Sequence, residues 1–302
     1  MSLPIHLALV SEGVSIAASD LTQVASALSK QVDRDFKPFW RVDATVDAFV
    51  NLEDVPTDYW PIIVMKNVQG AAGYHEDDDG QPFAVVEFDT QWSLTASHEC
   101  LEMLADPFGR RLRAGNLLEQ AVELGLDATR VRYLVEVCDP SESGQFSYQV
   151  NGIVVSDFYT PHFFDPVRGS GIRYSFTGAI DAPRKVLDGG YISWREPSSR
   201  HWFQLRMFPD ESSAAVPHVL DLSAKTVFEK LRQSQSLRSA IDRVTKPPKY
   251  RDGLRGAGLM AARAGADAAV TAQRARAEDL RRQVTALIKS PSKPGRGKRG
   301  KS

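Results

Sequence analysis

The sequence predicts an α+β fold: a mixed sheet packed against one polar-faced helix, then a β-rich region, then a basic helical C-terminal tail. Three observations carry this. Strand and helix periods alternate in the first hundred residues. The stretch 92–107, WSLTASHECLEMLADP, has helical spacing with its polar groups gathered on one side. Lys, Arg and Ala dominate the chain after about residue 211, where aromatic residues fade.

The N-terminal part reads in order. Ile5 to Val10 is a short apolar strand. Ser19 and Asp20 can cap a helix running to about Asp35, with Leu21, Val24, Ala25, Leu28 and Val32 at the 3.6-residue period. Val42, Ala44, Val46, Ala48 and Val50 alternate and predict a half-buried strand. Pro61 to Met65 is a continuous apolar run and predicts a central strand. The stretch from Gly73 to Gly80 reads as a turn, followed by a strand over Phe83 to Phe88. Within it, Asp77 to Gly80 reads as solvated and not as a calcium loop, because the twelve-residue ligand spacing is missing.

On a helix of about 100° per residue, His98, Glu102, Asp106 and Glu99 fall at roughly 0°, 40°, 80° and 100°. Leu94, Ala96, Cys100, Leu101, Met103, Leu104 and Ala105 cover the remaining arc and predict burial. No Lys or Arg within the helix neutralises the acids. A solvated acidic face would mix in bases at i,i+4 spacing. A bare quadrant of one imidazole and three carboxylates therefore points to a metal cation, zinc first. Side chains at i and i+4 project side by side, so His98 and Glu102 can share an ion. Glu99 swings to the edge of the quadrant, where it suits a general base.

The third ligand stays open. Asp106 lies two turns beyond His98. Glu136 and Asp139, in VEVCDP, are the alternatives. Val131 to Cys138 reads as a strand, which puts Glu136 in mid-strand and in need of a partner. His75, His162 and His201 read as surface or core histidines, and Cys100 as core packing. Cys138 has no neighbouring base to activate it.

Further on, Arg110 to Leu126 holds a short helix, and Asn151-Gly152 marks a hairpin over Tyr148 to Val155. The stretch to Pro209 reads as strands and loops. A basic amphipathic helix is predicted over Val227 to Val244 and an Ala/Arg-rich helix over Gly256 to Ile288. Ser290 to Ser302 carries no acid and reads as a disordered basic tail. The divisions are 1–125, the core with the polar-faced helix; 126–210, its β-rich continuation; 211–289, helical; and 290–302, the tail.

Composition excludes some classes. The 302 residues carry a formal net charge of −1, which argues against a generally basic nucleic-acid binder. The tail can contact an acidic partner surface, but no aromatic follows Tyr250 to stack on bases, so sequence-specific nucleic-acid binding is not expected. Two cysteines make no disulfide framework and point to a reducing compartment. No run reaches the roughly 18 apolar residues of a transmembrane helix, and the N-terminus lacks a basic n-region. The expected location is the cytoplasm, with signal-independent export left open.

The run of helix and strands leading to SHECLE resembles the zincin fold of metallopeptidases. More narrowly, SHECLEMLADP, VEVCDP and VSDFYTP resemble a group of uncharacterised bacterial and phage-associated proteins with a degenerate zincin motif. The resemblance spans about residues 1–205. It implies that His98 is the first metal ligand and Glu99 the general base. Glu102 stands where zincins carry His. The implied function is a zinc-dependent hydrolase acting on a peptide or protein. The alternative is a non-catalytic zincin-like structural or binding protein, phage-related or secretion-associated.

Overall fold

The computed structural model describes residues 4–66, 68, 72–78, 80–127, 130–208, 217–222, 237, 238 and 241. The chain is mixed α and β. Strand β1 (Ile5–Glu12) leads into helix α1 (Ala18–Lys30), which continues through a π-helical turn (Gln31–Phe36) into the short α2 (Lys37–Trp40). Strands β2 (Ala44–Phe49), β3 (Trp60–Met65), β4 (Gly73–Asp78) and β5 (Gln81–Glu87) follow, and then helix α3 (Trp92–Ala105). The predicted helix thus runs past Asp35 to Trp40, widening to i→i+5 hydrogen bonds through the π turn.

The first sheet has the order β2-β1-β3-β5-β4. Its first four strands run parallel, and β4 closes the edge antiparallel to β5. Leu7, Ala8, Leu9 and Val10 of β1 are all buried, as a strand covered on both faces requires. Helix α1 packs on β2, α3 packs on β5 and β4, and the two helices touch.

The reading of Gly73 to Gly80 as a turn is corrected. Residues 73–78 form β4, paired from Gly73↔Val86 to Asp78↔Gln81. Only the end of the stretch turns, with Gly80 at φ 86°, a conformation glycine adopts without a steric penalty. The acidic composition hid a strand whose inward side chain, His75, is fully buried.

After α3 come β6 (Leu112–Asn116), α4 (Glu119–Glu123) and β7 (Arg130–Leu134), and then the hairpin β8 (Tyr148–Val150) and β9 (Ile153–Val155). Strands β10 (Tyr191–Arg195), β11 (Trp202–Arg206) and β12 (His218–Asp221) complete a second, antiparallel sheet of order β12-β11-β10-β7-β6. The hairpin turns through Asn151 and Gly152, both at positive φ (53° and 81°), which suits Asn-Gly in a tight hairpin turn. Strand β7 stops at Leu134, so Glu136 lies beyond the strand and not within it. One apolar core runs from Leu7 to Met207 and takes in both sheets.

The predicted helices over 227–244 and 256–288 and the tail 290–302 lie outside the described residues, apart from Leu237, Arg238 and Ile241. No helix among the described residues is long and apolar enough to cross a membrane.

Candidate metal centre

Helix α3 has no Gly or Pro in its interior and is rich in strong helix formers, so its formation follows from propensity as well as packing. Pro107 disfavours helical conformation at the residue before it, and the helix ends at Ala105. Leu94, Ala96, Cys100, Leu101, Met103, Leu104 and Ala105 are buried as predicted. At about 1.5–3 kcal/mol per large apolar side chain, this packing outweighs the cost of placing Glu99 and Glu102 inside the protein.

A polar clasp fixes the helix from behind. Ser97 Oγ donates to Gln31 Oε1 at 2.8 Å and accepts the Ser156 N–H at 2.9 Å. Gln31 Nε2 donates to the Ser156 carbonyl at 2.9 Å and to Tyr148 Oη at 3.0 Å. The π turn, the hairpin and α3 are thereby tied at one point.

On the opposite side the predicted residues converge. His98 Nε2 lies 3.3 Å from Glu102 Oε2 and 3.3 Å from Asp139 Oδ1. Asp139 starts a 3₁₀ turn (Asp139–Ser141) just after the VEVC segment, and Pro140 there pre-sets the backbone. Glu102 Oε1 accepts the Cys138 N–H at 3.1 Å, locking the carboxylate plane. Among the described residues, donor atoms within 4.8 Å of one another form four overlapping groups. They are His98, Glu102 and Cys138; His98, Asp139 and Glu142; Glu102, Glu136 and Asp139; and His75, Glu99 and Glu102.

Asp106 belongs to none of these groups. As the cap residue of α3 it turns away, with φ −142°. Its Oδ2 accepts the Arg111 N–H at 2.6 Å, and its carbonyl accepts from His75 Nε2 at 3.2 Å. The helical wheel placed it in the quadrant, but the helix stops before it. Of the candidates for a third ligand, Asp139 reaches His98, and Glu136 reaches Glu102 and Asp139.

Glu99 is buried against β4. Its Oε2 lies 3.4 Å from His75 Nδ1. The Nε2 of His75 faces the Asp106 carbonyl, which can only accept, so that nitrogen is the donor in this contact. Sequence reasoning passed over His75 because the acidic stretch was taken for a turn. Inward alternation of residues 73, 75 and 77 was the signal that could have found it.

Arg238 was missed altogether. Its guanidinium donates to Glu102 Oε2 at 2.5 Å and pairs with Glu136. The positive charge expected from a metal is therefore supplied in part by the protein. Arg238 is itself buried, and its N–H and that of Leu237 both donate to the Gly109 carbonyl.

Among the described residues, five carboxyls, of Glu99, Glu102, Glu136, Asp139 and Glu142, meet the guanidinium of Arg238 and the imidazoles of His75 and His98, with Arg206 also acting on Glu142. Burial pulls the His98 imidazole down, but Glu102, Asp139 and Glu99 outweigh it and hold the pKa well above the ordinary value. Burial raises Glu102, yet His98, Arg238 and His75 together keep it well below the usual carboxylate range. Asp139 is pushed well up by burial and by repulsion from Glu102. Glu142 is raised to about 8, by burial first and then by Glu102 and Glu99, against the pull of His98. Burial, and then Glu102, lift the Cys138 thiol well above its ordinary range, so it is not a ready thiolate. The Tyr159 hydroxyl is buried without a hydrogen-bond partner among the described residues, and Glu102 and Asp139 act on it electrostatically.

The donor set fits a divalent cation. A tetrahedral ion with bonds of about 2.0–2.1 Å sets its donor atoms about 3.3–3.4 Å apart. That matches the separation of His98 Nε2 from each of its two carboxylate neighbours, 3.3 Å. Asp139 Oδ1 is buried and has no hydrogen bond. No protein-family model, curated protein or solved structure matches this chain.

Proposed function

We infer that the chain is a zinc-dependent hydrolase of zincin-like architecture acting on peptides. The observation that carries this is the pair of buried carboxylates 3.3 Å from one imidazole nitrogen, in a cluster that also draws in Glu136 and Glu142. The antiparallel edge strand β4 beside a helix bearing His98-Glu99 supports the resemblance to zincins. His98, Asp139 and Glu142, whose donor atoms lie within 4.8 Å of one another, would hold the metal, and Glu102, 3.3 Å from His98, is the alternative to Glu142. Bound zinc supplies a Lewis acid that makes water nucleophilic near neutral pH.

The protein's own residues do the rest. Glu99 takes the proton at its carboxylate, and His75 orients that carboxylate from β4. The Tyr159 hydroxyl is a spare donor beside the carboxylates. The two free cysteines, both buried, suit a reducing setting, and we place the protein in the cytoplasm.

Elemental analysis of untagged protein, together with a broad peptide library, tests this reading. The expected result is about one zinc per chain, lost in His98→Ala, with hydrolysis by the wild type. Glu99→Gln should keep its zinc and lose turnover on the order of a hundredfold or more. Full zinc in His98→Ala would overturn the assignment.

A second reading has its own observation. Arg238 already places a cation on Glu102 and Glu136, as a non-catalytic zincin-like binding or structural protein would. Zinc-restored wild type without hydrolysis of any library member would favour it. In either case the basic 290–302 segment is proposed to contact an acidic partner.

A further inference from the structure

The second sheet has two unlike faces. Val131, Tyr133, Ile192, Trp194 and Leu205 point inward and belong to the main core. Residues of the opposite parity point outward. On β7 these include Arg130 and Arg132, both exposed. On β10 the last of them is Arg195, half-buried at the end of the strand. Pairing brings the three together. Arg132 stands directly across from Arg195, and Arg130 lies one rung further along β7. None of the three is in an ion pair among the described residues.

Like charges directly opposed across an antiparallel pair destabilise a sheet. Such residues have their Cβ atoms about 4.5–5.5 Å apart, and alternate residues of one strand are about 6.5 Å apart. Three guanidiniums therefore gather on one small area. One flank of it is low: Ala114 pairs with Arg132 and Asn116 with Arg130, and both side chains are short and uncharged. On the other flank Trp202 stands across from Arg195 and is buried with Leu134 and Leu222 in a small apolar cluster. The sheet thus holds a repulsive arrangement that breaks a local rule with no compensating acid beside it, and such places are where function is expected.

We propose that this outward face binds an extended acidic peptide segment of a partner protein, with carboxylates at alternate positions. The charge is complementary, and Arg grips a carboxylate through two parallel N–H···O bonds. The spacing selects an extended chain, because its alternate side chains repeat at the separation of Arg130 and Arg132. The tryptophans beside the arginines, Trp194 and Trp202, are both buried, so neither offers a ring on which the bases of a nucleic acid could stack. The proposal does not rest on the metal reading, since none of the three arginines is among its donors.

Fluorescence anisotropy with the full chain tests it. The labelled probes are an alternating Glu-Thr peptide, a block peptide of the same composition with all its Glu first, and an oligouridylate of equal charge. The alternating peptide should bind tightest, and its binding should weaken as salt rises. Arg130→Ser and Arg132→Glu should each weaken it at least about tenfold, through loss of a charge-assisted pair. Arg132→Glu also sets opposite charges across the rung, so its melting temperature should equal or exceed that of the wild type. That separates lost binding from lost folding. Arg130→Ser, at an exposed side chain outside any ion pair, decides the matter if Arg132→Glu does not fold. Unchanged affinity in the variants places the contact elsewhere, residues 290–302 included, and overturns the proposal, as does absence of binding by every probe. Equal affinity for the block peptide overturns the extended, alternating occupant. Tighter, arginine-dependent binding of the oligouridylate overturns the peptide in favour of a nucleic-acid backbone.

Discussion

A methyl group added at Gly73 would lie 3.0 Å from Glu99 Oε1 and 2.7 Å from Thr95 Cγ2. The backbone of β4 therefore runs directly over the carboxylate proposed as the general base, and only a residue without a side chain allows that approach. Gly73→Ala should displace Glu99 and strain α3. The expected cost is about 1–3 kcal/mol of stability together with a drop in turnover, with zinc retained. Urea unfolding and zinc content check this; unchanged unfolding would show that Thr95 and Glu99 yield freely.

Ligand choice is open to a direct comparison. Asp139→Asn should weaken zinc binding strongly, because it takes a charge from the carboxylate nearest His98 Nε2 after Glu102. Asp106→Ala should leave zinc affinity nearly unchanged. It should instead destabilise the fold by about 0.5–1.5 kcal/mol, since the Arg111 N–H, in a partly buried hydrogen bond, loses its acceptor. Metal titration and thermal unfolding of the two variants would show opposite patterns.

The pH dependence should change sign with metal. Glu142 is raised from 4.5 to about 8 in the folded chain. Between those values the native state keeps a proton that the unfolded chain has lost, so metal-free stability falls as pH rises. His98, raised above 6.5, adds in the same direction, its contribution being lost as pH climbs through its folded value. Glu142→Gln should flatten the metal-free slope between about pH 5 and 8. With zinc the trend should reverse, because bound donors must be deprotonated. Melting temperatures at the two pH values, with chelator and with zinc, give the comparison; a slope unaltered in Glu142→Gln would count against Glu142 as its source.

Breaking the buried ion pair should be costly in the absence of metal. Arg238→Ala leaves Glu102 and Glu136 facing each other, and removal of one partner from such a pair costs about 3–5 kcal/mol. Adding Glu136→Gln to it should recover part of that loss. A double-mutant cycle on unfolding free energy reads the coupling directly.

The periodic features were legible and the long-range ones were not. His98, Glu99 and Glu102 could be assigned to one side of a helix because i,i+1 and i,i+4 spacing fixes their direction locally. Asn151-Gly152 announced its turn for the same reason. Asp106 failed because a wheel assumes that the helix continues, and Pro107 ended it one residue too soon. The β4 strand failed because its composition imitates a turn while its pairing with β5 decides its state, a tertiary override of propensity. Arg238 lies 136 residues from Glu102. No local period connects the two, so a helical wheel could not show that the chain itself brings a cation to Glu102.

The Gln31 clasp has a consequence for ion size. Since Ser97 is tied on two sides to the π turn and the hairpin, α3 cannot roll or slide to spread its donors. An ion entering this centre must accept the spacing it finds. Calcium, with six to eight oxygens at about 2.3–2.6 Å, calls for a wider and more pliable cage. A small ion content with few ligands does not, so an ion bound here would meet His98 and Glu102 at the spacing that the clasp gives α3.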